Sequence, residues 1–373
     1  MLAPTKEKVW MNVEKDLKKD GILVIKPVDA LSVTLIANYV AEKLICAFPF
    51  YGFNYDKLFM KISNIPMYIA DIPSNMGEAS YFYKNSSIYF RDKLSIEDMQ
   101  KYAVHEFIHF YQEVKDKKNV LYKLGLCDFT GLKVTGMALN EASVQLITAK
   151  ALKNEKETVK YYDIELATNT PNCYPIICTL VSQMAYVTGE NVLFDSTFNS
   201  NSKFVKSFIN ICGKDNFYTI QSNLDKILSL EEKIVLLSSK LEKEVLSDRF
   251  IASVSTKIGN YKNRIQKIFF ETQELILSSY FNNTLVNVYS AQEIEDYRRK
   301  LYNYKDLIGV TDNYSFFNDY YINIMTKLDE KYAALENVEL AIVPYNRNII
   351  QILFKKICAL IGIKRRRNKF CKG

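Results

Sequence analysis

Residues 104–113 read VHEFIHFYQE and contain both histidines of the 373-residue chain, His105 and His109. Side chains four apart lie on one face of a helix, so both imidazoles can reach a single ion. Neutral imidazole is a good zinc ligand. Glu106 follows the first histidine and is rotated to one side of it. From there a carboxylate can take a proton from a metal-activated water and later hand it to a leaving amine, without filling a coordination position. His-Glu-x-x-His on a helix is therefore a pattern for metal-assisted hydrolysis. It also arises by chance. Two randomly placed histidines would fall four apart with Glu after the first in roughly one chain in a few thousand. The apolar flanks Val104, Phe107 and Ile108 predict a largely buried helix, and buried histidines need a partner.

A catalytic zinc takes three protein ligands and keeps one position open. No third histidine exists, so the third ligand must be a carboxylate or a cysteine. Glu141 in GMALNEASVQLI is the best placed. It sits among Met137, Val144 and other apolar residues of a predicted helix, where a carboxylate is costly unless paired or bound to a metal. Asp128 and Cys127 in GLCDFTG are the alternatives, with Glu113 on the motif face but one turn too far along. Cys173 and Cys178 in CYPIIC are loosely spaced and read better as buried structural thiols.

The elements that must position these residues can be read from periodicity. Residues 1–50 look helical, with an amphipathic run from Asp29. NIPMYIADIPS reads as a strand. SYFYKNSSIYFRD reads as two short strands joined by a polar turn. LSIEDMQKYAVHEFIHFYQEV has helical spacing, with Ser95 as N-cap. LGLCDFTGLKVTG is glycine-punctuated loop, and MALNEASVQLITAKALKNEKE is helical again. YPIICTLVSQMAYVTGE is among the further helices. After about residue 230 the chain becomes almost proline-free and rich in charged helix formers. That shift suggests a domain over 1–230, a helical accessory region over 231–345 and a tail over 346–373.

The order hairpin, His-Glu-x-x-His helix, loop and helix bearing "NE" resembles the gluzincin group of zinc peptidases over residues 60–150, extending toward 230. The resemblance implies an α+β fold: a zincin-like domain with a small mixed sheet and an active-site helix, followed by a mainly helical C-terminal region. It implies one Zn²⁺ held by His105, His109 and Glu141, with Glu106 as general base. It implies a peptide or protein substrate, paired as an extended strand with SSIYFR, the strand before the motif helix. Such members often stabilise the oxyanion with Tyr or His, and here no further histidine is present to do so. The competing class is a non-catalytic interaction or membrane-associated protein on an inactive zincin fold. The intact Glu106 argues for the enzyme.

Composition narrows the setting. The net charge is +7, with 49 Lys and Arg against 42 Asp and Glu. Residues 347–373 alone carry nine basic and no acidic side chains, which leaves 40 against 42 in the rest. The body is thus near neutral, and no specific nucleic-acid binding is expected. The tail sequence IIQILFKKICALIGIKRRRNK is too short and interrupted for a membrane span, but suits a helix lying on an anionic membrane surface or a docked helix with a basic end. The N-terminus lacks a signal-peptide core, and seven scattered cysteines argue against a disulfide framework, so a cytoplasmic setting with reduced thiols is expected.

Overall fold

The computed structural model describes residues 15–19, 21–73, 76–117, 120–129, 134–241, 247–309 and 316–342. The expectation for the 346–373 tail lies outside them. The chain is mixed α+β and mostly helical.

A four-stranded sheet forms first in the chain: β1 (Leu23–Pro27), β2 (Met67–Asp71), β3 (Ala79–Phe82) and β4 (Ser87–Arg91), in the order β1-β2-β4-β3. β2 and β4 run parallel, with Met67 opposite Ile88. The edge strands are antiparallel to them, with Leu23 opposite Asp71 and Phe82 opposite Ser87. An interior strand is covered on both faces, and Ile88, Tyr89 and Phe90 are fully buried. Tyr89 joins Leu17, Ile22, Ala70 and Ile72 in one apolar cluster. β1 corrects the helical reading of residues 1–50. Gly21 turns the chain at φ 80°, and Pro27 ends the strand.

Two helices separate β1 from β2: α1 (Ala30–Ala47) and α2 (Tyr55–Ser63). Asp29 and Asn54 cap them, accepting from Ser32 N and Lys57 N at 2.9 Å each. Among the described helices, α1 alone has the length and hydropathy of a membrane span. One face of it is core, with Ile36, Ala37, Val40, Ala41 and Leu44 buried.

The motif lies on α3 (Ile96–Gln112), whose N-cap is Ser95 as expected; its Oγ accepts from Asp98 N at 3.1 Å. α3 packs on β3 and β4 and against α1. The segment read as loop, residues 124–136, contains β7 (Cys127–Asp128) and the last residue of β6 (Leu121–Leu124), which extend a sheet begun by β5 (Glu113–Lys115). α4 (Met137–Leu152) follows and is buried nearly all round, from Ala138 to Ala151. A hairpin comes next, β8 (Glu157–Tyr161) and β9 (Ile164–Thr168). Its two turn residues, Tyr162 and Asp163, both have positive φ, the conformation a two-residue hairpin turn needs.

Further helices follow: α5 (Pro175–Thr188), α6 (Glu190–Phe198) and α8 (Lys214–Leu241) pack on α4, and α7 (Lys203–Cys212) and α9 (Asp248–Leu285) pack on α5 and α8. Residue 230, where composition suggested a boundary, lies inside the unbroken α8, which packs along α9. By packing, the described residues fall into two units, one of residues up to 286 with 303–309 and one of 287–302 with 316–342. The second unit contains most of α10 (Ala291–Tyr304) and α11 (Phe316–Ile342), where Arg298 pairs with Asp329.

Candidate metal centre

α3 presents His105 and His109 to α4, and α4 answers with Glu141. The Nε2 atoms of the two imidazoles face each other at 3.0 Å. Glu141 places Oε2 3.6 Å from His105 Nε2 and Oε1 3.5 Å from His109 Nε2. Three ligands held at about 2.0–2.1 Å by a tetrahedral ion lie roughly 3.3 Å from one another. The observed separations bracket that value, so the His-His-Glu group fits a metal ion. Among the described residues it is the only His, Cys, Asp and Glu cluster of this kind.

The electrostatics point the same way. With its Nδ1 proton turned to Gln145, His105 faces His109 Nε2 with a lone pair, and a proton or a cation between the two nitrogens satisfies them. Burial works against charge on His109, but the Glu141 carboxylate overcomes it and holds the imidazole above its ordinary pKa, with help from Glu106 and Gln112. Burial alone would raise Glu141. His109 and His105 outweigh it and hold the carboxyl well below the usual carboxylate range. The site is thus built for an ionised carboxylate facing a positive centre.

Two supporting side chains were not foreseen. Gln145 Oε1 lies 3.0 Å from His105 Nδ1, so the ring donates there and turns its Nε2 lone pair to the site. Gln145 is one helical turn beyond Glu141, and that i, i+4 spacing was the available signal. Gln112 lies one turn beyond His109, whose Nδ1 is buried without a hydrogen bond of good geometry. Behind it, Gln112 Oε1 accepts from Asn140 Nδ2 at 3.4 Å, which ties α3 to α4 beside the ligands.

Glu106 is 8% exposed and points to the sheet side. Its Oε2 accepts from Tyr81 N at 2.7 Å, so the edge strand β3 reaches the site through its backbone. This corrects the expectation for SSIYFR. Both edges of β4 are occupied, by β2 and β3; the edge strands are β1 and β3, and it is β3, residues 79–82, whose outer edge meets Glu106.

The alternative third ligands lie elsewhere. Cys127 is buried in β7, and desolvation pushes its thiol up to about 12. Asp128 exchanges backbone bonds with Thr135. Glu113 pairs with Lys115 at 2.6 Å. Cys173 and Cys178 are free, as are the other described cysteines.

Tyr174, whose phenol feels the charge of Glu141 and Glu106, is a residue that sequence reasoning could not single out. It caps α5 in the left-handed region, at φ 51° and ψ 43°, a conformation that is costly for a bulky side chain and unfavourable before proline. Burial raises its phenol, and the carboxylates of Glu141, Glu231 and Glu106 raise it further. The hydroxyl therefore keeps its proton at neutral pH. No protein-family model, curated protein or solved structure matches the chain.

Proposed function

We propose that the protein is a zinc-dependent peptidase whose own residues divide the work of amide hydrolysis. The observation that carries this reading is the meeting of His105, His109 and Glu141 at metal-ligand separations, with Glu106 next to the first ligand. A donor set of two neutral imidazoles and one carboxylate suits Zn²⁺ and leaves a position open for substrate. When bound, zinc acidifies water and polarises the scissile carbonyl. Glu106 takes the proton released and returns it to the leaving amine. Its bond to Tyr81 N fixes Oε2 and leaves Oε1 for that transfer. We assign the protonated phenol of Tyr174, which the charges of Glu141 and Glu106 help to raise, as donor to the developing oxyanion. β3 offers an open edge for an extended peptide, and that edge is already in hydrogen-bond contact with the base.

The competing reading is an inert metal scaffold, in which the Tyr81–Glu106 bond is the purpose of Glu106 and no proton moves. Glu106→Gln separates the two. The protein as purified should hold one zinc per chain, and the variant should keep it. Cleavage of a diverse peptide library should drop by about two to four orders of magnitude in the variant. Undiminished cleavage by Glu106→Gln would exclude the mechanism. A fully zinc-loaded wild type that cleaves nothing above the variant would favour the scaffold. Metal lost from His105→Ala with His109→Ala checks the ligands, and stoichiometric zinc in that double variant would sink the assignment.

The basic C-terminal tail supports a second contact, with an anionic membrane surface. Binding to phosphatidylserine vesicles that disappears at high salt and on deletion of residues 346–373 would bear this out.

A further inference from the structure

The outer edge of β3 is a row of backbone groups whose partners can be followed one by one. Arg91 N donates to Glu78 O at 2.8 Å, so these two residues form a hydrogen-bonded pair at the end of the β3–β4 ladder. Such pairs alternate along an antiparallel ladder. Ser80 and Phe82 therefore turn their N–H and C=O groups toward β4, and Ala79 and Tyr81 turn theirs outward. One outward group is already taken: Tyr81 N donates to Glu106 Oε2 at 2.7 Å. The next carbonyl along, Tyr83 O, accepts from Lys115 Nζ at 3.3 Å. Ala79 N, Ala79 O and Tyr81 O form no hydrogen bond among the described residues.

Tyr81 is anchored by more than its N–H. Its ring meets that of Phe110 edge-on, with centroids 6.0 Å apart. Glu106 and Phe110 are four apart and share a face of α3, so β3 stays seated on Phe110 if Glu106 lets go.

A peptide strand added to this edge brings a carbonyl to Tyr81 N, whichever way it runs. Glu106 Oε2 occupies that position. Were it to stay, a carbonyl oxygen and a carboxylate oxygen would face each other over one donor, and a buried acceptor would go unpaired. One acceptor has to leave. The Glu106 side chain can turn about its own bonds, whereas the peptide carbonyl is fixed by the neighbouring bonds to Tyr81 O and Ala79.

We propose that Glu106 is latched to β3 in the empty cleft, and that an extended peptide opens the latch: its carbonyl takes the Tyr81 N–H as the carboxylate swings free. Both oxygens of Glu106 then serve the site, where Oε1 alone does in the empty cleft. The peptidase reading gives the latch its purpose, but the exchange of hydrogen bonds needs no turnover. Glu106→Gln keeps an acceptor within reach of Tyr81 N. Glu106→Asn carries the same amide one methylene short, and Glu106→Ala carries none. All lack the base, so hydrolysis does not interfere. The probe is an equimolar library of acetylated hexapeptide amides, offered to each full chain in zinc-containing buffer by equilibrium dialysis and read by mass spectrometry. Retained peptides should bind Glu106→Asn and Glu106→Ala about fivefold more tightly than Glu106→Gln, the worth of one neutral hydrogen bond. Hydrogen exchange locates the effect. The Tyr81 amide should exchange slowly in free Glu106→Gln, fast in free Glu106→Asn, and slowly again in Glu106→Asn with a retained peptide; Glu106→Ala takes the place of Glu106→Asn if the latter does not fold. Equal affinity across the variants would overturn the proposal. So would a Tyr81 amide that stays fast with peptide bound, and so would a library from which no variant retains anything. Cleavage by the wild type with equal affinities would keep the peptidase and remove the latch. The affinity difference without cleavage by the wild type would do the reverse.

Discussion

At the scale of single residues, the ligand histidines depend on what stands behind them. Gln145 holds His105 Nδ1 at 3.0 Å and so sets which nitrogen faces the ion. Gln145→Ala should leave the fold intact and weaken zinc about 10–100-fold, the usual effect of losing an outer-shell partner; competition with a chromogenic chelator measures it. Glu231 is buried on α8 with neither carboxylate oxygen hydrogen-bonded, and it gives a pH-dependent prediction. Its carboxyl titrates near 8 in the folded chain against a reference of 4.5. Above pH 4.5 the unfolded chain loses this proton while the folded chain keeps it, so wild-type stability should fall as pH rises toward 8. Glu231→Gln removes the penalty. Urea unfolding should show the variant gaining roughly a few kcal/mol on the wild type at pH 8 and little at pH 4. An equal gain at both pH values would mean that Glu231 ionises normally. The grouping of His105, His109 and Glu141 was legible because helical spacing and a charge in an apolar stretch are local signals. The environments of Gln145, Tyr174 and Glu231 were not, because they arise from contacts between distant segments.

At the scale of elements, the β6–β7 turn clamps the two ligand helices. Gly125 sits in it at φ 57°, and its N–H donates to Ser200 Oγ at 2.8 Å. A Cβ there would lie 2.1 Å from Asn140 Oδ1 and 2.5 Å from Gln112 Nε2. Those are the residues before Glu141 and one turn after His109, so Gly125→Ala should both strain the turn and displace the helices. We expect a stability loss of about 1–3 kcal/mol together with weaker zinc binding. Wild-type zinc affinity in a destabilised Gly125→Ala would show that the clamp does not position the site. The β3–β4 hairpin, β2 and α3 with its Ser95 cap were readable because alternation, turn residues and capping are encoded locally. β5 to β7 were not, since strands of two to four residues carry too little period to detect. The β8–β9 hairpin escaped because its turn uses Tyr162 and Asp163 where glycine or asparagine is usual. The order of the sheet, with β3 and not β4 at the edge, could not be inferred from strand sequences alone.

At the scale of the whole molecule, the unit bearing the metal centre is discontinuous in sequence. Residues 303–309 return to it, and Tyr304 is fully buried there, its hydroxyl donating to Gln183 Oε1 at 2.9 Å. Gln183 Nε2 in turn donates to Leu307 O at 2.8 Å. A chain cut after residue 286 lacks this plug, so it should be less stable than one cut after residue 315. In the full chain, Tyr304→Ala should cost about 3–5 kcal/mol by urea unfolding. Composition suggested a single boundary near 230 because it registers the change to charged helices, whereas the packing of α8 on α9 crosses that point. The two facing imidazoles have one more consequence. With only two histidines in 373 residues, every imidazole resonance in a nitrogen-15 NMR spectrum of this protein comes from the candidate metal centre. Tautomer, protonation and metal exchange can therefore be followed in the intact chain without assignment or selective labelling, and the shared environment of the pair gives each signal the other as its internal control.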